Sequence, residues 1–499
     1  MRRAALIAAL TLLVLAPGAG ASGLPLGHPG LPETRTAQTL APGVTLTHVV
    51  RGYASPTDAF VVDVAFVTTQ AQARATADAV RASGHDARIQ RVSNGILVRS
   101  GTFADQASAD ALRAALISAG FVKARTVYTG EDGGKTRGPW VLDILRVEPK
   151  AFDGRVVPAL ATDVVPGREP VSALSGRLGA LAAINGGYFV IGAENGTDGD
   201  LAGISVVGGQ LVSEAVQGRT SLVLPNADGT GARIEQLRTD DSVRSSDGAR
   251  RELDGLDRIP GLIRGCGGTG GDQPTQAPLH DVTCTDDSEL IRYDARFGAA
   301  TDAGPGAEAV LAPDGTVTAL REGRGGSIPA SGAVLAGTGD AADWLRAHAK
   351  PGQRVSVRIG VRGEDGPLEL GGELGVVNGG PRLLRDGNVS ITAPAEGFDH
   401  PGDPEFLYRF GLRRNPRTLA GVERGGALIL VTIDGRQPGY SVGASFAEEA
   451  AVMRALGAED ALNLDGGGST SIAVGGRLVN HPSDAAGERP IGDAILLQR

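Results

Sequence analysis

A chain of 499 residues is long enough for two or more domains, and its 75 glycines against 11 Phe, 6 Tyr and 2 Trp favour turn-rich β structure with an aliphatic core. The formal net charge of −9 argues against nucleic-acid binding, which requires a basic face. Small or neutral ligands are therefore the expected partners, and no protein partner is evident.

The N-terminal segment has the organisation of a secretory signal peptide. Arg2 and Arg3 precede an apolar run over residues 4–16, and the small residues 19–21 form a typical cleavage site. We predict a signal peptide over residues 1–21 and a secreted or cell-wall-associated protein without a transmembrane anchor after cleavage. A retained anchor is the alternative, but the run is shorter than the ~20 residues that span a bilayer.

A repeated β-α-β pattern follows. Residues 60–66 predict a strand, and residues 70–83 predict an Ala-rich amphipathic helix closed by Gly84. The pattern recurs with a second helix over residues 105–119, closed by Gly120. Apolar residues at three- and four-residue spacing let each helix cover one face of a sheet.

The second half of this repeat, V-R-S-G-T-F-A-D-Q-A-S-A-D-A-L-R-A-A-L-I-S-A-G-F, resembles the second repeat of a SPOR domain. The resemblance covers residues 58–130. It implies a β-α-β-β-α-β module that binds the glycan strands of peptidoglycan, and hence a cell-wall address. The first half matches more loosely, and a spacer is the alternative role.

Two predicted strands flank this module. One lies within Leu40–Gly52 and the other begins after Gly138, and we expect them to be neighbours. The module is therefore predicted to be inserted into a hairpin of a larger domain, as insertions at exposed loops often are. The predicted larger domain comprises a first strand at 40–52 and the remainder at 138–499.

From residue 138 onward, strand-like segments alternate with Gly-rich turns and helices are few. We predict an α+β protein, with one sheet-rich domain and the small module. One helix stands out in the large domain: Phe446–Leu456 is amphipathic, ends at Gly457 and leads to Asp465.

Two cysteines, Cys266 and Cys284, lie 18 residues apart in a loop rich in Gly, Thr and Pro. Little hydrophobic packing could order such a loop, so we predict a disulfide bond between them, worth roughly 3 kcal/mol. Two free buried thiols are the alternative. His280 and Asp281 lie in the same loop, but no second histidine or CxxC spacing supports a zinc site.

The most informative stretch is Asn463–Ser471, N-L-D-G-G-G-S-T-S. Its three successive glycines let the main chain approach a ligand and offer unscreened N–H groups to an anionic or sugar-like group. A tight hairpin turn is the structural alternative, because Asp-Gly also favours turns.

Four further motifs end strand-like segments in an amide or a charge. They are A-I-N-G-G-Y-F at 183–189, V-V-N-G-G-P at 376–381, N-P-R-T at 415–418 and I-D-G-R at 433–436. Each motif alone is typical of a turn. Five such strand ends are better explained by one polar site at one edge of a sheet.

Taken together with the closing S-D-A-A-G-E-R-P, these motifs resemble the phosphodiester glycosidase family, over residues 40–52 and 138–499. The resemblance implies an enzyme that hydrolyses a sugar-phosphate diester. For a secreted bacterial member, the expected substrate is a cell-wall or exopolysaccharide polymer that contains such linkages.

This activity assigns roles to residues. A phosphodiester needs a cationic site, and Arg417, Arg436 and Arg489 are the candidates, because a guanidinium pairs two oxygens at once. As polar turn residues, Arg417 and Asp465 are expected to contribute little to the core. The remaining candidates for binding the substrate, each with turn capping as its alternative role, are Asn185, Tyr188, Asn378, Thr418, Asn463, Gly466, Gly467, Gly468, Ser469 and Thr470.

Carboxylates must supply the acid, base or nucleophile, because glycosidic cleavage normally uses a pair of them. Asp465 is the first candidate, Asp434 the second and Glu488 the third. Since phosphate is a good leaving group, one essential carboxylate would suffice. No cofactor is expected, although a calcium or magnesium ion held by Asp434 and Asp465 is compatible with so oxygen-rich a site.

Two other functions are compatible with the sequence. The chain could be a non-catalytic protein that binds cell-wall glycan through both modules. It could also be a glycosidase without specificity for phosphate.

Overall fold

The structure is a computed structural model that describes residues 13–15, 23–216, 218–266, 271–274, 283–400 and 402–499. Of the predicted signal peptide, only Leu13–Leu15 lies within the described residues, where its backbone forms a strand. The rest of residues 1–21 lies outside them, as do His280 and Asp281.

The largest sheet in the described part of the chain has nine strands, and other elements of the large domain pack on both of its faces. Its central strands read as continuous apolar runs because both faces are buried. Along Trp140–Val147, Leu142 and Ile144 face one hydrophobic core, whereas Leu145 and Val147 face another. In hydrogen-bonded order the strands are Leu13–Leu15, Glu33–Ala41, Val44–Arg51, Trp140–Val147, Leu428–Ile433, Arg417–Glu423, Ala458–Asn463, Arg382–Arg385 and Asn388–Val389.

A five-stranded sheet packs on one face of the central sheet. Ile184 and Ile495 from this sheet share a core with Leu145 and Leu430 of the central one. Its strands are Arg477–Leu478, Ile472–Val474, Ala182–Asn185, Asp493–Gln498 and Arg155–Leu160. The packing brings the end of Ala182–Asn185 next to the end of Ala458–Asn463.

The other face of the central sheet is covered by the helix Phe446–Ala455, whose Phe446, Ala450 and Met453 enter that core. Ser445 begins this helix with a capping box to Glu448. The helix ends at Ala455, one residue earlier than predicted. The strand Ala458–Asn463 of the central sheet follows it and separates the helix from Asp465.

Further sheets complete the large domain, and the first of them shares a hydrophobic core with the central sheet. One has the strands Gln210–Ser213, Ser205–Val207, Gly375–Asn378, Thr220–Leu224 and Arg233–Gln236. Another has Gly255–Leu256, Leu290–Tyr293, Ala333–Gly337, Gly304–Leu311 and Val317–Arg324, with the helix Gly339–His348 packed on it. Three small sheets have three strands each. The first has Arg238–Thr239, Val361–Gly363 and Gly366–Leu368, and the second has Arg250–Glu252, Ser242–Ser245 and Val355–Arg358. The third has Ile263–Arg264, Thr283–Thr285 and Gln273–Pro274. The shorter helices are Val171–Arg177 and Glu405–Leu407, which continues as a π-helix over Tyr408–Leu412.

The small module forms one four-stranded antiparallel sheet with two helices on one face. The helices are Gln70–Ala82, one residue shorter at its C-terminal end than predicted, and Gln106–Ser118, one residue shorter at each end. Thr69 and Asp105 cap their N-termini through side-chain oxygens, which satisfies backbone N–H groups there. The strands, in order, are Arg88–Val92, Gly95–Phe103, Phe60–Val67 and Arg125–Tyr128.

The opposite side of the module packs on the large domain. Phe66 stacks on Tyr408 with ring centroids 5.7 Å apart, and Arg125 forms an ion pair with Glu405. Arg99 is buried between Asp63 at 2.6 Å and Asp132 at 2.6 Å. The junction is therefore a polar and aromatic contact between the module and the segment that follows residue 403.

The α+β class predicted from the sequence is confirmed. The strands Val44–Arg51 and Trp140–Val147, which flank the module, pair antiparallel along their whole length. The sequence did not reveal the strand Glu33–Ala41, whose mostly half-exposed residues lack a clear alternation. Within the described residues, no helix combines the length and apolarity needed to cross a lipid bilayer.

Replacing Arg99 by Ala should lower the free energy of unfolding by about 3–5 kcal/mol, because it leaves the buried carboxylate of Asp63 without its guanidinium partner, whereas Asp132 keeps its ion pair with Arg413. Denaturant unfolding measures this loss. Arg88→Ala, at a half-buried arginine of the same sheet, is the control and should cost less than about 1 kcal/mol. Equal losses for both variants would contradict the structural role of Arg99.

Candidate active site

A cavity of about 260 Å³ lies where the ends of the two packed sheets meet the segment that precedes Arg417. Its wall contains four arginines, Arg264, Arg417, Arg436 and Arg489. The carboxylates on the wall are Asp465 and Glu194, and the backbone of Gly466 and Gly467 completes one side. The cavity is thus predominantly cationic, with one carboxylate in the Gly-rich turn.

Asp465 is held through its backbone. Its N–H donates to the carbonyl oxygen of Gly186 at 3.2 Å, and its carbonyl oxygen accepts from Asn185 Nδ2 at 2.8 Å. Its carboxylate Oδ1 accepts from the N–H of Gly466 at 2.9 Å. The side chain is therefore directed into the cavity from a backbone that cannot easily move.

Two glycines of the turn after Asp465 are required by geometry. Gly467 has φ = 62°, which L side chains rarely adopt. A Cβ on Gly468 would overlap the carboxylate of Asp484 and the guanidinium of Arg489. The glycines thus allow the turn to approach the Asp484–Arg489 pair, in addition to offering N–H groups.

The protonated form of the Asp465 side chain is more favourable in its buried environment than it would be in water. Desolvation raises the pKa of Asp465 to about 6, although the Ser469 hydroxyl, the charge of Arg489 and the N–H of Gly466 oppose the shift. The buried Asp493 lies close enough to interact with it: desolvation first, and the charge of Asp465 as well, raise the pKa of Asp493 to about 7. Asp493 Oδ1 accepts from the N–H of Gly187. Asp465 is thus mostly ionised at neutral pH.

Arg417 is fixed on the cavity wall from behind. Its Nε donates to the carbonyl oxygen of Ala444 at 2.9 Å and lies 2.7 Å from Glu449 Oε1, while its Nη2 donates to the carbonyl oxygen of Phe410. Arg417 is only 1% exposed, so it is part of the core. The expectation that it contributes little to the core is therefore wrong, because Glu449 from the neighbouring helix is buried against it.

Arg436 and Arg489 are fixed in a similar way. Asn415 Oδ1 accepts from Nε and Nη2 of Arg436, and Asp484 accepts from Nε and Nη2 of Arg489. Arg436 also has φ = 57°, an uncommon conformation for a non-glycine residue and one often found at functional sites. In Arg417, Arg436 and Arg489 alike, Nη1 forms no hydrogen bond with the described part of the chain.

Aromatic rings form an apolar side of the cavity. Phe398 and Phe410 stack with centroids 5.5 Å apart, and Tyr188 is tilted against both. The hydroxyl of Tyr188 donates to the carbonyl oxygen of Gly380 at 2.7 Å and accepts from Asn463 Nδ2 at 2.6 Å. Tyr188 thus offers its ring to the cavity.

Several predicted substrate-binding residues lie behind the wall. Asn185 Oδ1 accepts from the Thr418 hydroxyl and the Ser471 N–H. Asn378 accepts from the Tyr188 N–H and donates to its carbonyl oxygen. These residues, with Asn463, Ser469 and Thr470, are buried, and Gly468 contacts the Asp484–Arg489 pair. Direct contact with a substrate by any of these residues stays a prediction.

The second and third predicted catalytic carboxylates lie elsewhere. Asp434 accepts from Asn480 Nδ2 at 2.8 Å, from the His481 N–H and from the Tyr440 hydroxyl, and desolvation raises its pKa to about 6. Glu488 accepts from the backbone and hydroxyl of Ser172. Neither is on the wall of the cavity that contains Asp465.

The sequence analysis missed several residues of the wall. Arg264 precedes the first cysteine, and its position beside a predicted disulfide loop was the one available signal. Glu194, Asn195, Phe398, Phe410 and Asn415 also line the cavity. Apart from Asn415, which begins N-P-R-T, these residues lie outside the motifs: Glu194 and Asn195 in a short 3-10 helix, Phe410 in the π-helix and Phe398 between strands.

The predicted disulfide bond between Cys266 and Cys284 is confirmed. The strand Ile263–Arg264 pairs with Thr283–Thr285, so the bond closes a small sheet next to the cavity. Arg264 Nη1 donates to the Thr283 hydroxyl at 3.3 Å. The disulfide therefore supports the position of Arg264.

Comparison with known proteins identifies two domains in the chain. The profile of the phosphodiester glycosidase family matches residues 306–498, and the SPOR domain profile matches residues 56–124. Residues 306–498 therefore belong to a phosphodiester glycosidase domain. The chain also carries a SPOR domain, which corresponds to the small four-stranded module.

Individual relatives extend the comparison. N-acetylglucosamine-1-phosphodiester alpha-N-acetylglucosaminidase of Mus musculus is 34% identical over 103 residues, which are 20% of this chain and 20% of the relative. The chain thus spans about a fifth of the length of this curated phosphodiester glycosidase. A solved structure from Burkholderia pseudomallei K96243, described as an exported protein, is 35% identical with a TM-score of 0.88, over 98% of this chain and 100% of that one. A hypothetical protein from Synechocystis, at 17% identity and a TM-score of 0.55 over 99% and 82% of the two chains, shares the fold.

If ionised Asp465 performs the reaction of this phosphodiester glycosidase domain, kcat/KM should fall about tenfold per pH unit below about pH 6 and level off above it. Because the folded pKa exceeds the unfolded value, the folded state binds the extra proton, so Asp465 itself makes folding more favourable as pH falls through that range. The pH–rate profile measures the effect, with circular dichroism at each pH as the folding control. A flat profile between about pH 5 and about pH 7, roughly one unit on either side of this pKa, would exclude Asp465 as the ionised group.

Proposed function

We propose that the protein is a secreted hydrolase that cleaves a sugar from a glycosyl phosphodiester in a cell-wall or exopolysaccharide polymer. One observation carries the proposal. Arg417, Arg436 and Arg489 share a single cavity with Asp465, and each has an Nη1 group that makes no hydrogen bond within the described residues.

The arginines suit a phosphodiester better than a neutral sugar. Charge-assisted hydrogen bonds from guanidinium to phosphate oxygen are short and strong. Because Glu449, Asn415 and Asp484 hold these side chains before a ligand arrives, little rotamer freedom is lost on binding. The same arrangement stabilises the negative charge that grows on a departing phosphate.

Asp465 is the proposed catalytic residue. Its ionised carboxylate can attack the anomeric carbon or activate a water molecule, and the phosphate leaves with its electron pair without needing a strong acid. Glu194 is a second, exposed carboxylate on the same wall that could assist with a proton. The rings of Phe398 and Phe410 provide an apolar surface for the less polar face of a sugar.

The name of the mouse relative describes removal of N-acetylglucosamine from a phosphodiester, which supports this substrate class. The sugar itself stays open, because the match spans about a fifth of that enzyme. Hydrolysis in heavy-oxygen water identifies the bond that breaks: label in the sugar hydroxyl means cleavage of the C–O bond, and label in the phosphate means cleavage of the P–O bond.

The SPOR domain supports a cell-wall location. Such modules bind peptidoglycan glycan strands, which would concentrate the hydrolase on its polymer. The side of the module that carries Arg99 is buried against the large domain. Wall glycan would therefore meet the helices or the edges of the module while it remains docked.

Asp465→Asn should abolish turnover of every substrate, whereas Arg436→Gln should lower kcat/KM about 10- to 150-fold on sugar phosphodiesters and little on a neutral aryl glycoside. Arg436 is exposed at the cavity mouth, so its replacement does not open the core as replacement of Arg417 would. Initial rates on the two substrate types measure the difference.

Arg424→Gln is the matched control for this test, because Arg424 is an exposed arginine beyond the far end of a neighbouring strand. It should leave both rates unchanged. Equal losses for Arg436→Gln on the two substrates would refute a phosphate-binding role. No turnover of any glycosyl phosphodiester, combined with tight glycan binding, would favour the non-catalytic alternative.

The full chain should sediment with purified peptidoglycan, and soluble glycan fragments should release it. Asp465→Asn should sediment equally well, because the SPOR domain lies outside the catalytic cavity. A pelleting assay over a range of loadings measures both. A chain that stays in the supernatant at all loadings would refute the wall-binding role and leave the spacer role.

A further inference from the structure

One β-ribbon on the surface of the large domain carries a row of exposed arginines. The strands Arg238–Thr239 and Ser242–Ser245 run antiparallel to Val361–Gly363 and Val355–Arg358, respectively. Between the two pairs of strands, the Asp240 N–H donates to the carbonyl oxygen of Gly360 at 2.8 Å, so the pairing continues along the ribbon. The exposed arginines of this ribbon and of the adjoining strand Arg250–Glu252, which we call the arginine row, are Arg238, Arg244, Arg250, Arg358 and Arg362.

The strand register places Arg244, Arg250 and Arg358 on one face. Arg244 lies directly opposite Arg250 on one neighbouring strand, and Arg358 lies opposite Ser242, two residues before Arg244. Side chains alternate along a strand, and Val243, between Ser242 and Arg244, is buried in the core. The three arginines therefore share the outer face of this small sheet.

Arg362 and Arg238 extend the same face. One carboxylate, that of Asp240, lies 3.4 Å from Arg358 Nη1 and 3.7 Å from Arg362 Nη2, so both guanidiniums are on one side of the ribbon. Arg238 lies directly opposite Arg362. None of the five arginines lines the cavity that contains Asp465.

Positive charge is in excess along the arginine row. Asp240 is shared by two arginines, and Glu252 is placed on the face by its position opposite Ser242. Asp247, in the hairpin that leads to the strand Arg250–Glu252, is paired with His348 at 2.8 Å instead. The side chains of Arg238 and Arg244 form no hydrogen bond or ion pair with the part of the chain that the structure describes.

This arrangement works against the stability of the fold. Like charges directly opposite each other on neighbouring strands are destabilising, and the row contains two such pairs, Arg244 with Arg250 and Arg238 with Arg362. Departures from a local rule of this kind are expected at functional sites. An anion bound between the paired guanidiniums would remove the repulsion.

The shape and lining of the surface restrict the ligand. An open depression of about 440 Å³ lies among Arg244, Arg250 and Arg358, and its remaining lining residues are Ser242, Gly248 and Ser356. Since none of these side chains is apolar, the surface suits a hydrophilic ligand better than a lipid chain or an apolar protein surface.

The length of the row indicates a polymer. From Arg238 to Arg244 the strand direction covers roughly 20 Å at about 3.3 Å per residue, which is more than one phosphate group can occupy. Guanidiniums pair with phosphate oxygens two at a time. We propose that the arginine row is a second binding surface, outside the catalytic cavity, for a polymer with repeated phosphate groups.

The polymer is the substrate class of the proposed hydrolase, and in this respect the inference rests on the proposed function. A chain held at the arginine row as well as in the cavity presents its linkages at a high effective concentration. The arginine row should therefore lower KM for a polymeric substrate, while a small sugar phosphodiester, which cannot reach both places, should be unaffected.

Titration of the full chain with long-chain inorganic polyphosphate, followed by calorimetry, tests the proposal without requiring catalysis. The triple variant Arg244→Gln/Arg250→Gln/Arg358→Gln should weaken binding at least tenfold at about 50 mM salt. The slope of log Kd against log salt concentration should fall by about one for each arginine removed, because fewer counterions are exchanged. The substitutions are at exposed positions, so the Tm without ligand should change little.

The triple variant Arg155→Gln/Arg424→Gln/Arg477→Gln is the matched control, because it removes the same charge from exposed positions outside the row. It should bind polyphosphate within about twofold of the unaltered chain, since only net charge is changed. Arg436→Gln, in the catalytic cavity, should also retain most of the affinity.

Three results would overturn the proposal. They are equal weakening in the two triple variants, a loss in Arg436→Gln as large as that in the row variant, and tighter binding to vesicles of phosphatidylglycerol and phosphatidylcholine than to polyphosphate. A chain that binds polyphosphate through the row but hydrolyses no glycosyl phosphodiester would refute the proposed activity and support the binding surface.

Discussion

The position of Asp465 depends on one buried amide, that of Asn185. Its Nδ2 donates to the carbonyl oxygen of Asp465, while its Oδ1 accepts from the Thr418 hydroxyl and the Ser471 N–H. These partners come from the central sheet, the sheet packed on it and the Gly-rich turn. Since a buried amide without its partners is costly, these bonds favour the observed packing of the two sheets, in which Asp465 lines the cavity.

The cavity is cationic although the chain has a net charge of −9, because arginines are held at its wall by nearby acceptors. Each of three arginines is held by an acceptor behind it: Arg417 by Glu449, Arg436 by Asn415 and Arg489 by Asp484. The acceptors use Nε and, except in the ion pair with Glu449, Nη2. Long-range net charge therefore says little about what the cavity binds, because short-range pairs decide which guanidinium atoms remain available.

The small module and the cavity wall share one segment of chain. Tyr408 stacks on Phe66 of the module, and two residues later Phe410 lines the cavity. The carbonyl oxygen of Phe410 accepts from both Asn415 and Arg417. Docking of the module thus stabilises the segment that orders two polar residues of the wall, which gives the module a structural role beside its proposed role in binding glycan.

Local patterns in the sequence were sufficient for the class of fold, the two module helices and the disulfide bond. Periodicity marks the helices, since the apolar residues of an amphipathic helix repeat within a few positions, and a Gly-rich loop with two cysteines needs a covalent link. The family motif also pointed to Asp465, because the run of glycines that follows it is visible in the sequence itself. The extent of the strand Ala458–Asn463 was not predicted, because its pairing partners are distant in the chain.

Only the tertiary structure distinguished wall residues from residues behind the wall. Asn185, Asn378 and Asn463 look alike in sequence to Asn415, and all four bond to groups within the protein, yet of these four Asn415 alone lines the cavity. Asp434 and Asp465 likewise share an Asp-Gly motif but face different surroundings. The physical reason is that a polar side chain at a strand end can line the cavity or form all its hydrogen bonds behind the wall. Which of these occurs depends on neighbours that come from remote parts of the chain.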